Sequence, residues 1–385
     1  MKPRATGFLL VFAIWASLAP PLAAQTNAAA PLPSAAQTAL DKGIIAAKVP
    51  DYPLAIRYFE EARKLAPAAP VVFMNLGIAE SRMPGRELRA LAWFGAYLAA
   101  YSDAPNAAAV KEQIAVLEVR NQSNVSRFLK TVQNAADSVR DESGARGSAQ
   151  RELARVQIKA GDIAGARSNL ASAAKSAIDQ PAGNEARIKT MVLTGIAKDQ
   201  IRIGDPRSAQ ITLASAQKTA DSISLKLERP QYKASEQWEV AEAQIAAGDL
   251  SGAQTTLASL QKTSDLIKDP QIKSLHQSQI ARARTWIEDA RPKPGVAATT
   301  PASPPPAPAV QKMSVSDWLK RLDDDNKDEE CPLNTRLFLD LPGYLKSLPR
   351  SDDPKVIFSG LNDAAKVIVN AQNVVAAMLK QQAMR

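Results

Sequence analysis

A chain of 385 residues is longer than one hydrophobic core usually serves, so two or three units are expected. Its 45% apolar and 23% charged side chains exclude a disordered polypeptide, and its single cysteine, Cys331, excludes an intramolecular disulfide. The formal charge of +9 is spread with both signs interspersed, which excludes a nucleic-acid-binding stripe but leaves a weak attraction to anionic envelope material.

In chain order, residues 1–24 read as a secretory signal peptide. Lys2 and Arg4 begin it, and the apolar run 7–19 carries Leu9, Leu10, Phe12, Ile14 and Trp15. Pro20 and Pro21 break that run before the small residues Ala23 and Ala24. The run is too short for a comfortable membrane span, and no other segment is apolar enough for one. The mature chain is therefore expected to be periplasmic or secreted, without stable membrane insertion; an uncleaved anchor is the alternative. Residues 25–34 form a flexible lead, and 35–291 carry apolar residues three and four apart, the spacing of amphipathic helices. The prolines of 292–311 exclude helix and predict a semi-extended linker, followed by a small helical unit at 312–385.

Within 121–291 the chain repeats itself. LARVQIKAGD ends at Asp162, IAKDQIRIGD at Asp205 and VAEAQIAAGD at Asp249, with a fading fourth copy ending at Asp289. Gly161, Gly204 and Gly248 can take the left-handed conformation that ends one helix, and the Asp that follows each can cap the next. Each copy thus predicts an antiparallel helix pair. Ala154, Ala197 and Ala241 sit where the second helix must approach, answered by Ala166, Ala209 and Ala253. One such pair cannot bury its apolar face alone, so the expected fold is an all-α solenoid of stacked pairs.

Upstream, across 35–120, Gly43, Tyr52, Ala55, Phe59, Ala62 and Pro67 are followed by a second set: Phe73, Leu76, Gly77, Ala90 and Phe94. These residues resemble the tetratricopeptide repeat family, and the copies at 121–291, with a period near 43, look like elongated relatives of its usual 34-residue unit. A helix beginning near Asn106 and running toward Arg120 lacks enough of the pattern to count as a third copy. The resemblance implies a concave surface that binds a protein or peptide, and no reaction. In one version of the family, paired Lys, Asn and Arg clamp a C-terminal carboxylate. Asn75 matches one such position, but Leu40 and Ile44 occupy two others, so that clamp is not supported.

Gln157, Gln200 and Gln244 occupy one equivalent position in three copies. They would either line a peptide groove as a polar ladder or serve a repeat-to-repeat contact, or simply be inherited with the repeat, and the second kind of reading is favoured. His276, the only histidine, has no Cys or carboxylate cluster around it in sequence, so no metal site and no catalytic set is assigned, and no cofactor is expected. The acidic run 323–330 lacks the Gly and the late Glu of a calcium loop and reads as solvated. Asn121 and Asn124 head glycosylation-type triplets of the kind that arise by chance. In the last unit, Val356, Ile357, Leu361, Ala364, Val367, Ile368, Ala371, Val374, Val375, Met378 and Leu379 share one broad helical face. That face either docks on the chain's own preceding helices, the favoured outcome, or mediates self-association with a second chain. The leading expectation is an exported interaction scaffold for envelope assembly or secretion. Its competitors are an enzyme, or regulatory subunit of one, with its active region in 312–385, and a cell-wall or anionic-polymer binder.

Overall fold

The computed structural model describes residues 31–101, 103–140, 145–181, 185–290 and 351–383, and among them it is all-α, with thirteen helices and no strand. The described residues fall into two units, one of 31–130 with 363–383 and one of 131–290 with 351–362. Helix α5 (Ala107–Ser138) runs through the residue 120/121 boundary suggested by the sequence repeats and contributes to both units.

The first unit is built on two antiparallel pairs, α1 (Ser34–Lys48) with α2 (Tyr52–Leu65), and α3 (Pro70–Ser81) with α4 (Glu87–Ala100). Asp51 opens α2 by accepting the Leu54 amide at 3.1 Å. Each pair closes on the same contact, an aromatic ring laid on a glycine of the facing helix. A Cβ at Gly43 would lie 2.3 Å from the Phe59 ring, and one at Gly77 would lie 2.7 Å from Phe94. Any side chain there would force the helices apart. Phe59 and Phe73 are fully buried, and Phe73 stacks on Trp93 with ring centroids 5.9 Å apart. Charge also ties these helices together. Glu80 of α3 is wholly buried and paired with Arg86 at 3.0 Å and Arg89 at 2.6 Å, and Arg89 reaches Glu60 of α2 at 3.1 Å. A carboxylate this deep would be costly without such partners.

In the second unit the pairs are α6 (Ala145–Ala160) with α7 (Ile163–Asp179), α8 (Ala186–Arg202) with α9 (Pro206–Ser222), and α10 (Pro230–Ala246) with α11 (Leu250–Asp265). Helix α12 (Pro270–Asp289) packs on α10 and α11. The first helices of successive pairs touch one another and so do the second helices, giving the two layers of a stacked solenoid. The six paired helices run 16 or 17 residues, against 12 to 15 in the first unit. That added length, with longer connections between pairs at 180–185 and 223–229 than at 66–69, produces the longer period.

The turn inside each pair is the same three times. Gly161, Gly204 and Gly248 have φ of +78°, +73° and +74°, and the amide of the following Asp returns to the carbonyl of Gln157, Gln200 or Gln244 at 2.8–2.9 Å. The Asp side chain then accepts the amide of Gly165, Ser208 or Gly252 at 2.9, 3.2 and 2.9 Å. Both helix ends are satisfied within two residues. Packed beneath the turn, Ala154, Ala166, Ala197, Ala209, Ala241 and Ala253 are all fully buried.

Successive repeats are joined by a cationic staple. Arg146 donates to Val139 O at 2.9 Å, at the end of α5. Lys189 donates to Ile178 O at 2.9 Å and to Gln180 O, at the end of α7. Lys233 reaches Asp221 O and Ile223 O at 2.6 and 3.1 Å, at the end of α9, and Lys273 reaches Asp265 O at 3.4 Å, at the end of α11. In every case a cation from one repeat meets the orphan carbonyls, and the negative dipole end, of the preceding repeat's second helix. Burial pushes the Lys189 pKa down, partly opposed by the nearby Asp179 carboxylate.

Replacing Lys233 by Met keeps the aliphatic stem and removes the donors and the charge. The expected cost is about 1 kcal/mol of stability, read as a lower urea midpoint by circular dichroism, with Lys233→Arg recovering most of it.

Candidate functional site

The three repeated glutamines lie inside the second unit, 0–5% exposed. The oxygen of each accepts from a residue twelve positions on, in the second helix of its own pair. Asn169 Nδ2 donates to Gln157 at 2.7 Å, Thr212 Oγ1 to Gln200 at 2.9 Å, and Thr256 Oγ1 to Gln244 at 2.7 Å. Gln157 in turn donates to Asp162 Oδ2 at 3.1 Å, and Gln244 to Gln217 of the preceding repeat at 3.0 Å. Asn169 also bridges to Gln133 at 2.6 Å. These amides therefore bolt helix to helix and repeat to repeat inside the second unit. Asn75 is half-buried and donates to Val71 O of its own helix at 2.8 Å.

Two signals for this network lie in the sequence and escape a reading centred on the glutamines alone. Asn169, Thr212 and Thr256 recur at the repeat spacing, always polar in the middle of an otherwise apolar helix face. Gly165 and Gly252 recur as well, and a Cβ there would lie 2.4 and 2.6 Å from the glutamine amides.

A second candidate, an apolar contact surface, belongs to the first unit. Helix α13 (Pro354–Ala383) begins at Asp353, whose carboxylate accepts the Lys355 amide at 2.9 Å. Its part within the first unit, 363–383, lies on the repeat helices. Val375 and Met378, each 2% exposed, join one apolar core with Phe59, Phe73, Leu76, Trp93, Phe94 and Leu117, and Val374, Ala377 and Leu379 pack at its margin. Burying two such side chains is worth about 1.5–3 kcal/mol each. One turn back, Val367, Ile368 and Ala371 line a cavity of about 40 Å³ with Gly85, Glu87 and Leu88 at the start of α4 and Asn121, Asn124, Val125 and Phe128 of α5. That volume holds water and no organic substrate. Of the apolar face seen in sequence, 367–379 thus lies on the first unit, whereas Val356 and Ile357 at its start are exposed.

The other candidates are quickly placed. His276 is 3% exposed on α12, its Nδ1 2.9 Å from Gln279 Oε1. Asn121 is buried in mid-helix, unlike the surface loop that a glycan acceptor occupies. Among the described residues no three His, Cys, Asp or Glu side chains gather as a metal site, and no helix is long and apolar enough to cross a membrane. Cys331, the acidic run 323–330, the signal-like segment and the proline-rich 292–311 lie outside the described residues. No family model matches the chain, and no curated protein matches its sequence.

Burial holds the His276 imidazole neutral and lowers its pKa from 6.5, with the Gln279 hydrogen bond opposing the shift. The unfolded chain takes up this proton as pH falls through about 6.5 while the folded chain resists, so this contribution to stability is complete above that pH and lost below it. The fall in melting temperature between about pH 7.5 and pH 5.5 is expected to be shallower in His276→Gln than in the parent, measured by calorimetry at both values.

Proposed function

We propose that this chain is an exported protein–protein interaction scaffold of the tetratricopeptide-repeat type, acting in cell-envelope assembly or secretion. The observation that carries this reading is the apolar surface of the first unit, which accepts an α-helix through Val375 and Met378 in the manner of a groove that takes an amphipathic helix. The repeat logic points the same way. The polar side chains that recur from repeat to repeat are consumed in closing turns, joining helices and stapling repeats. Such a framework holds a surface rigid, as recognition needs. Support for the family assignment comes from Gly43 and Gly77, each beneath an aromatic ring at the positions where that repeat places its small and aromatic residues. Export rests on the order of residues in 1–24: a cationic start, a short apolar run and a small-residue break.

The mature chain, 25–385, immobilised as bait in envelope extract, is expected to retain a specific protein that, once purified, forms a stoichiometric complex with it by size-exclusion chromatography. Retention of no protein, or of one that fails to reconstitute, would sink the scaffold reading. Mass spectrometry of the native protein is expected to find its first residue near Gln25.

A further inference from the structure

We propose that the chain carries its own competitor: segment 363–383 of α13 is a reversible ligand of the first unit, occupying the site at which an amphipathic helix of a partner binds. The proposal rests on the scaffold reading and specifies the chemistry of the partner, a helix with Val-, Ala- and Met-sized residues three and four apart.

Three observations lead there. The first is pattern. Val367, Ile368, Ala371, Val374, Val375, Met378 and Leu379 make one stripe along more than three turns, the form in which a helix presents itself to a groove.

The second is connection. Neighbouring helices of a pair are joined by a turn of a few residues and can hardly avoid each other. Segment 363–383 continues α13 from 354–362 and follows α12 only after residues 290–362, so no short turn joins it to a helix of the first unit. Side-chain recognition by the core of the first unit does. A tethered ligand is spared most of the translational cost of association, so a modest contact is enough to hold it.

The third is imperfect fit. The cavity of about 40 Å³ opens beside Val367, Ile368 and Ala371, where core packing would leave none. Gln372, one residue along, has its Oε1 buried with no hydrogen-bond partner among the described residues. An orphaned polar atom and a space that side chains leave to water both weaken a contact. A helix that fills the cavity with a larger side chain, or offers that position a group without an unmet acceptor, would displace this one.

The test uses the whole mature chain with a site-specific protease sequence placed within 301–307. After cutting, the fragment bearing 363–383 is expected to co-elute with the repeats under native conditions. An excess of synthetic peptide 363–383 is expected to release it, whereas the same peptide carrying Val375→Asp and Met378→Asp is expected to require at least about tenfold more. Separation on cutting alone, retention at any peptide concentration, or equal potency of the two peptides would each overturn the proposal. Because the parent side chains of the protein are left intact, a folding defect cannot mimic these outcomes. A chain that captures a partner from envelope extract yet fails here keeps its scaffold role and loses only the competing helix.

Discussion

Every α-helix ends with backbone groups that its own ladder cannot satisfy, and a protein with thirteen helices among its described residues multiplies that problem. The repeats of the second unit answer it identically each time. A left-handed Gly releases the chain from one helix, the next Asp caps the following one, and a Lys or Arg from the succeeding repeat covers the carbonyls at the far end. Because these devices sit at helix termini, they also set the geometry. The two-residue turn makes each pair antiparallel, and the cation fixes where the next pair must stand. Stability and architecture therefore share the same few side chains.

The two units solve helix pairing by different chemistry. In the first, an aromatic ring presses on a bare glycine, so closeness is achieved by removing a side chain and filling the space with apolar area. In the second, alanine replaces glycine at the crossing and a buried amide joins hydroxyl or amide groups across the pair. Few aromatics remain there. A buried amide network specifies register, because a shift of one residue would leave several polar groups unsatisfied at once. This suits long alanine-rich helices, whose smooth faces would otherwise pack in several registers.

Segment 363–383 stands apart from this logic. It contributes to the core of the first unit as fully as the repeat helices do at Val375 and Met378, yet no short turn brings it there. Apolar burial carries that contact. A surface that buries the apolar face of one helix can bury another of similar pattern, which is the physical basis of the proposed recognition surface.

The helices, the Gly-Asp turns and the small residues at the crossings were legible in the sequence because each depends on local chemistry that repeats at a fixed spacing. The broad apolar face of 367–379 was equally plain as a stripe. The role of Gln157, Gln200 and Gln244 stayed open between groove and interior, because a glutamine alone does not reveal its partner. Only the fold brought Asn169, Thr212 and Thr256 against them from twelve residues away. The staple at Arg146, Lys189, Lys233 and Lys273 was hidden for a related reason: those cations resemble any solvated surface charge until the end of the preceding helix is placed beside them. The sequence by itself thus determined secondary structure, turn chemistry and the existence of a stack. Tertiary structure alone decided which surface receives 363–383 and which polar side chains are interior bolts, because a recurring residue type does not by itself say which face it meets.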